Sequence, residues 1–445
     1  MRPLFGYSLI TALALTSACG DSDTNTEPVR FTISVENVSE VHDFPNSGVF
    51  NTPVGETSAG PLLPGDAYEF EFAAAPGTRL SFATMFVNSN DLFFAPAKEG
   101  LQLFDADGIA LSGNVTSQIQ LWDLGTEENQ EPGSGSNQAM NQAGPNMGPD
   151  DPNTTIRMAS DDFGNLPAVD EVIEATLTAG EANLFTLRIA NVSVATTLQF
   201  TGGESGIVMT PGPWVVHAED GPLFVDGEVD KGDGLEGLAE DGDPGALVQS
   251  VGARTGITGP IAPGAFAVHA QGSDALYSMG QPDRGLGLEA LAEDGDSAAL
   301  AASLEQDSTL LESGAFAIPA GASDPGPVFS GSRYEFAVTA EPGDYLSLAT
   351  MFVQSNDLFL GFDPGGVALF DADGNPVSGD LSGSLKLWDA GTEANEFPGL
   401  GANQAPRQAS SNTGPDESVA VGIVADGFTY PAADAFLKVT ITPSP

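Results

Sequence analysis

Aromatic and acidic residues alternate where Tyr68, Phe70 and Phe72 are interleaved with Glu69 and Glu71, and again where Tyr334, Phe336 and Val338 are interleaved with Glu335 and Ala337. A period of two places the apolar set on one face of a strand. Phe185, Leu187, Ile189 and Val192 carry similar patterning, as do Leu437, Val439 and Ile441. Turn residues such as Pro76-Gly77, Asp107-Gly108 and Pro342-Gly343 separate the runs. Many short strands divided in this way predict an all-β fold of antiparallel sandwiches. Short helices are expected only where Asp243-Pro244 precedes Ala246-Leu247-Val248 and where Asp296-Ser297 precedes Ala298 to Leu304.

The chain is internally duplicated. Residues 47–139 align without a gap on residues 313–405, an offset of 266. The identities come in blocks, including Ser89-Asn90-Asp91-Leu92-Phe93 with Ser355 to Phe359, and Leu121-Trp122-Asp123 with Leu387-Trp388-Asp389. The segment from Phe31 to Ser39 also resembles that from Phe185 to Ser193, and Pro167 to Thr178 resembles Pro431 to Thr442. Two tandem domains are expected, at 30–180 and 183–445. The second then carries an insertion at about 205–312, itself repetitive: Gly234 to Asp243 recurs as Gly287 to Asp296, and Val216-His217-Ala218 as Val268-His269-Ala270. Two such units are too few for a solenoid, so the segment reads as a partly helical decoration.

Composition narrows the chemistry. With 445 residues the chain exceeds what one core supports, and 62 acidic against 13 basic residues give a net charge of −49. Such a surface repels phosphate backbones, which excludes nucleic acid as a partner. One cysteine and three histidines leave no disulfide, thiolate cage or imidazole cluster. Oxygen ligands for a hard cation are what remains in abundance. Residues 1–19 have the layout of a secretory signal, an apolar run from Leu4 to Leu15 followed by small residues. Cys19 directly follows those small residues, so the segment resembles a bacterial lipoprotein signal with Cys19 as the lipid-bearing residue. Residues 20–29 read as a polar tether. The expected location is an exported one, at the bacterial outer membrane or cell surface, with the membrane touched by the lipid anchor alone.

Three acids recur at matched positions, Asp91, Asp123 and Glu127 in one copy and Asp357, Asp389 and Glu393 in the other. Carboxylates after a strand and across a Gly-Thr turn can converge and offer ligands to calcium, whose loose six-to-eight-fold shell suits loops. The alternative is that they hold turn hydrogen bonds. The blocks that carry these acids, Ser-Asn-Asp-Leu-Phe and then Leu-Trp-Asp-Ala-Gly-Thr-Glu, resemble the N-terminal spondin domain over most of both copies. Leu124 departs from that pattern. The resemblance implies a C2-like β-sandwich and calcium held by Asp91, Asp123 and Glu127 and by Asp357, Asp389 and Glu393. It further implies a non-catalytic adhesion role with an extracellular protein or glycan as partner.

Other motifs carry less. Phe104 to Gly108 and Phe370 to Gly374 look like the start of an EF-hand loop but lack the twelfth-position acid, so a hairpin turn is expected. Gly232, Gly234 and Gly237 spell a dinucleotide fingerprint, but acids precede them where a strand should. His217, His269, Trp122 and Trp388 read as structural residues. The competing readings are a structural envelope protein with no specific partner, and an extracellular hydrolase using a carboxylate pair such as Asp389 and Glu393.

Overall fold

A computed structural model describes residues 27–444; the signal-like segment and Cys19 lie outside the described residues. The fold is mostly β, built from several antiparallel sheets in sandwich arrangement. Its apolar interior divides into two main cores. One is formed within residues 50–216 and the other by Phe31, Ile33 and Val35 together with residues 261–441.

The first sandwich has one sheet in the order Ala67–Ala73, Leu184–Asn191, Ile173–Ala179, Gly113–Asn114. Alternation sets its faces: Tyr68, Phe70 and Phe72 are buried and Glu69 and Glu71 exposed. Facing it are the strands Asn46–Phe50, Gly212–His217, Arg79–Phe82 and Leu101–Gln102, and a neighbouring sheet that contains Leu92–Pro96 and Ile119–Asp123. Phe70 stacks on Trp214 across the interior with ring centroids 5.5 Å apart. The second layer is apolar on both sides. Phe94 and Leu121 point into the sandwich, whereas Phe93, Trp122 and Val215 meet two short helices, α1 (Leu235–Asp241) and α2 (Gly245–Ala253), through Leu235, Leu238, Leu247 and Val251. A sheet buried on both faces reads as continuous apolar runs, which explains Leu92-Phe93-Phe94.

The second sandwich repeats this plan. Its first sheet runs Arg333–Ala340, Val29–Asn37, Leu437–Ser444, Gly379–Asp380. Its second layer holds Glu312–Phe316, Ile261–Ala270, Asp344–Phe352, Leu358–Gly361 and Lys386–Asp389, covered by α3 (Leu288–Asp294) and α4 (Ala298–Glu305).

The strand pairing departs from the boundaries expected at 30–180 and 183–445. The strand Val29–Asn37, expected in the first copy, lies between the two strands of the second, with Phe31 opposite Val338 and Ile33 opposite Ile441. Its sequence twin Leu184–Asn191, expected to open the second copy, lies in the first, with Phe185 opposite Phe72 and Ile189 opposite Ala175. The first sandwich is therefore inserted into the second, and the chain order of the second is a circular permutation of that of the first. The expected insertion at about 205–312 is divided in the same way. Gly212–His217 pairs with Asn46–Phe50 and Arg79–Phe82, and Ile261–Ala270 with Glu312–Phe316 and Asp344–Phe352. Each unit thus supplies one strand and two helices to its own sandwich. Helices α2 and α4 stand where the capping signals predict them, and α1 and α3 are additional.

Candidate functional site

The repeated acids gather at one end of each sandwich, beside the layer that the helices cover. In the first copy Leu92 pairs with Asp123, which sets Asp91 against the turn leaving that strand. Ser89 shapes the approach, its hydroxyl donating to the Phe86 carbonyl at 2.6 Å and accepting from the Leu92 amide at 3.1 Å. Asp91 Oδ2 then accepts the amides of Thr126 and Glu127 at 2.9 and 3.2 Å and the Thr126 hydroxyl at 3.3 Å. Asp123 Oδ1 accepts the Gly125 amide at 2.8 Å. Gly125 has φ +76, and a Cβ there would lie 2.8 Å from the carbonyl oxygens of Asn153 and Thr155, so only glycine fits the turn. The second copy reproduces this set with Asp357 accepting from Thr392 and Glu393, and Asp389 from Gly391.

Glu127 is nearly fully buried. Its Oε1 accepts the Gly148 amide at 2.6 Å and its Oε2 the Asn90 side-chain amide at 3.1 Å. Gly148 packs so closely that a Cβ would lie 2.5 Å from Glu127 Oε2, and a Cβ on its twin Gly414 would overlap the Glu393 carboxylate. An acid from outside the expected set completes each cluster. Glu240 on α1 is 2% exposed and faces Thr126, Glu127 and Asp91; Glu293 on α3 is 4% exposed and faces Thr392 and Asp357. The repeat of Gly234 to Asp243 at Gly287 to Asp296 carries both residues. Helical spacing alone does not expose them, because Glu240 lies off the apolar stripe of Leu235, Leu238 and Ala239.

The electrostatics follow from this concentration of charge. Burial holds the Asp91 carboxyl above the usual range against the amides of Thr126 and Glu127, and burial first and the Asp91 charge second do the same for Asp123. Burial, assisted by neighbouring acids, pushes Glu240 up to about 8 and Asp357 up to about 6. Burial and the Glu293 charge push Glu393 up to about 8, and burial pushes Glu293 itself up to about 7. Several of these oxygens also have no hydrogen-bond partner: Asp91 Oδ1 and Glu240 Oε2 in the first cluster, Asp357 Oδ1 and both oxygens of Glu393 in the second. An unmet buried polar atom costs about 1–3 kcal/mol, more when charged, so each cluster favours a positive ligand or a proton.

Oxygens on Asp91 and Glu240, and on Asp357 and Glu393, could serve a hard cation, whereas both oxygens of Glu127 already accept hydrogen bonds. Asp123 and Asp389 fit it less well. Asp123 Oδ2 is taken by Asn129 and by Arg157, whose guanidinium stands 3.2 Å away, and Asp389 Oδ2 accepts from Asn395 at 2.9 Å. Both therefore brace the turn behind the cluster. As the side chains stand, no group of three or more His, Cys, Asp or Glu among the described residues is disposed to hold a metal ion, so ligation requires the carboxylates to turn toward one another.

The copies differ in their counter-charges. Arg157 pairs opposite Asp123, and Gly422 occupies the equivalent place opposite Asp389. The second cluster has a further acid instead, Glu396, which accepts from Asn356 and Asn403, with half-buried Arg407 close by.

The remaining motifs take structural roles. Asp105 Oδ1 accepts the amides of Asp107 and Ile109 at 2.9 Å, which makes the EF-hand-like run a hairpin turn. His217 and His269 join Ser81 and Ser347 inside their sheets at 2.9 and 2.8 Å. Trp122 and Trp388 are buried, and their indoles donate to the carbonyls of Ala95 and Gly361. Gly234 and Gly237 lie at the start of α1, with no strand leading into them. No protein-family model matches the chain, and no curated protein is significantly similar to it.

Proposed function

We propose that the protein is an exported, non-catalytic, calcium-binding surface protein that serves adhesion. In this reading Asp91 and Glu127 in one sandwich, and Asp357 and Glu393 in the other, supply carboxylate ligands, with Asp123 and Asp389 fixing the turns that present them. The observation that carries it is the unpartnered buried oxygen on the matched residues Asp91 and Asp357, joined by one of Glu240 in the first cluster and both of Glu393 in the second. Calcium fits better than magnesium because ligands on strand ends and turns meet its loose coordination more readily than a tight octahedron. The bound ion would neutralise the clustered charge and stiffen the loops at that end of the sandwich. The adhesive role, and an extracellular protein or glycan as partner, rest on the resemblance of the Ser-Asn-Asp-Leu-Phe and Trp-Asp-x-Gly-Thr-Glu blocks to the spondin domain. The lipid anchor at Cys19 rests on its place after the signal-like segment.

The test is titration calorimetry of residues 20–445 with calcium after chelation, and with magnesium at equal ionic strength, followed by binding to cells and matrix with and without chelator. Two calcium-selective events, lost one at a time in Asp91→Asn and Asp357→Asn, support the reading. Turnover on polysaccharide or ester panels that is lost on amide substitution of the acids would favour the hydrolase instead.

A further inference from the structure

Nothing in the repeated strand motifs points to the helices, yet each helical pair brings an acid to the same place in its cluster. We infer that Glu240 and Glu293 are cation ligands, so that the ion ties each helical pair to its sandwich. This inference rests on the calcium reading above and adds to it a residue from a separate part of the chain.

Four features of the structure support it. Glu240 is 2% exposed, and its Oε2 has no partner although it faces the hydroxyl of Thr126, the residue whose amide and hydroxyl hold Asp91. In the second copy Glu293 faces Thr392 in the same way, and the unpartnered oxygens there are those of Asp357 and Glu393, the latter raised by the charge of Glu293. The helix is also aimed by a matched pair of anchors. Asp241 accepts from the Gln142 side chain at 2.7 Å and Glu236 from Asn146 at 2.8 Å; Asp294 accepts from Gln408 and Glu289 from Asn412, each at 2.8 Å. These bonds use the acids on either side of the inferred ligand and not the ligand itself. Finally, Glu240 lines a cleft of about 290 Å³ with Asp230, Glu236 and Asn146, and Glu293 lines one of about 410 Å³ with Asp283, Glu289 and Asn412. Each cleft is polar and reaches the inferred ligand from the helix side.

A ligand drawn from α1 and from α3 has a consequence that strand ligands lack. The ion would hold down the layer that covers Phe93 and Trp122 in one sandwich and Phe359 and Trp388 in the other. Calcium should therefore slow amide exchange along Leu235–Asp241 and Leu288–Asp294 as well as in the turns.

The experiment compares the full chain from residue 20 with the pairs Glu240→Gln with Glu293→Gln, Asp91→Asn with Asp357→Asn, and, as exposed acids outside the clusters, Glu71→Gln with Glu341→Gln. It uses calcium chloride as the probe, calorimetry for affinity and hydrogen exchange for the helices. The glutamines are isosteric, so urea midpoints in chelator at or above that of the parent chain establish folding. Expected is a loss of roughly tenfold or more in affinity for the Glu240 and Glu293 pair, with no calcium-dependent protection left on α1 and α3, and parental behaviour for the Glu71 and Glu341 pair. Parental affinity and protection in the Glu240 and Glu293 pair would overturn the inference while leaving calcium at the strand acids intact. Absence of calcium binding in the parent chain would overturn both.

Discussion

Removing one phenyl ring near the N-terminus should destabilise the sandwich built from the far end of the chain. Phe31 is completely buried, packs edge-on against Phe370 with centroids 5.5 Å apart, and sits opposite Val338 and Pro443 in the two flanking strands. Phe31→Ala removes the burial of the ring and leaves a cavity, a cost of about 3–5 kcal/mol. The whole stability of an average domain is about 5–15 kcal/mol. At roughly 2–4 °C per kcal/mol for a unit of this size, the second sandwich should melt about 6–20 °C lower. The first sandwich should not respond, because its central strand is Leu184–Asn191. Hydrogen exchange with peptide resolution reads this directly. Protection should fall in Arg333–Ala340 and Leu437–Ser444 and persist in Ala67–Ala73 and Ile173–Ala179. Protection lost in the latter pair and kept in the former would refute the interleaved arrangement and restore two tandem domains.

Three further outcomes can be checked. Gly148→Ala and Gly414→Ala add a methyl group against Glu127 and Glu393 without altering a ligand, and each should abolish the calcium-induced thermal shift of its own sandwich, measured by calorimetric unfolding. Arg157 offsets charge at the first cluster where Gly422 stands in the second, so a calcium titration should resolve two affinities, with the tighter one lost in Asp357→Asn. His217 has its pKa lowered, by burial first and by Arg79 among its neighbours. The folded state thus keeps the ring neutral while the unfolded chain takes up a proton below about 6.5. Its contribution is full above that pH and is lost as pH falls toward the folded value. The urea midpoint of the first sandwich should drop between pH 7.5 and 5.5 by more in the parent chain than in His217→Gln.

Alternation at Tyr68, Phe70 and Phe72 made the strands legible, and the offset between copies made the duplication and the six acids legible. The partners of the strands were not. Phe31 to Ser39 and Phe185 to Ser193 are near copies, and a period of two fixes which face a strand buries but says nothing about which sheet receives it. Proximity in sequence therefore favoured the wrong exchange. Much the same holds for the helical repeat: its recurrence is plain, but that Gly212–His217 and Ile261–Ala270 serve different sheets is decided by long-range pairing. At the site, spacing brought Asp91 and Glu127 together because both lie beside one strand pair. It gave no sign that Glu240 joins them, because that residue lies off the apolar stripe of its helix and comes from a separate part of the chain. It also could not separate Asp123 from the other acids, since the counter-charge on Asp123 comes from Arg157 on a neighbouring strand.

Thermal unfolding of residues 20–445 in chelator and then across a calcium titration, with magnesium at equal ionic strength as control, bears most directly on the two buried carboxylate clusters. A ligand held only by the native state at a hundredfold excess over its dissociation constant adds about 2.7 kcal/mol per site. Each sandwich should then melt roughly 5–11 °C higher in calcium, and Asp91→Asn and Asp357→Asn should each remove the rise from one sandwich alone. A rise shared equally by magnesium would be screening of the 49 excess negative charges, and would leave the acids as residues that hold turns.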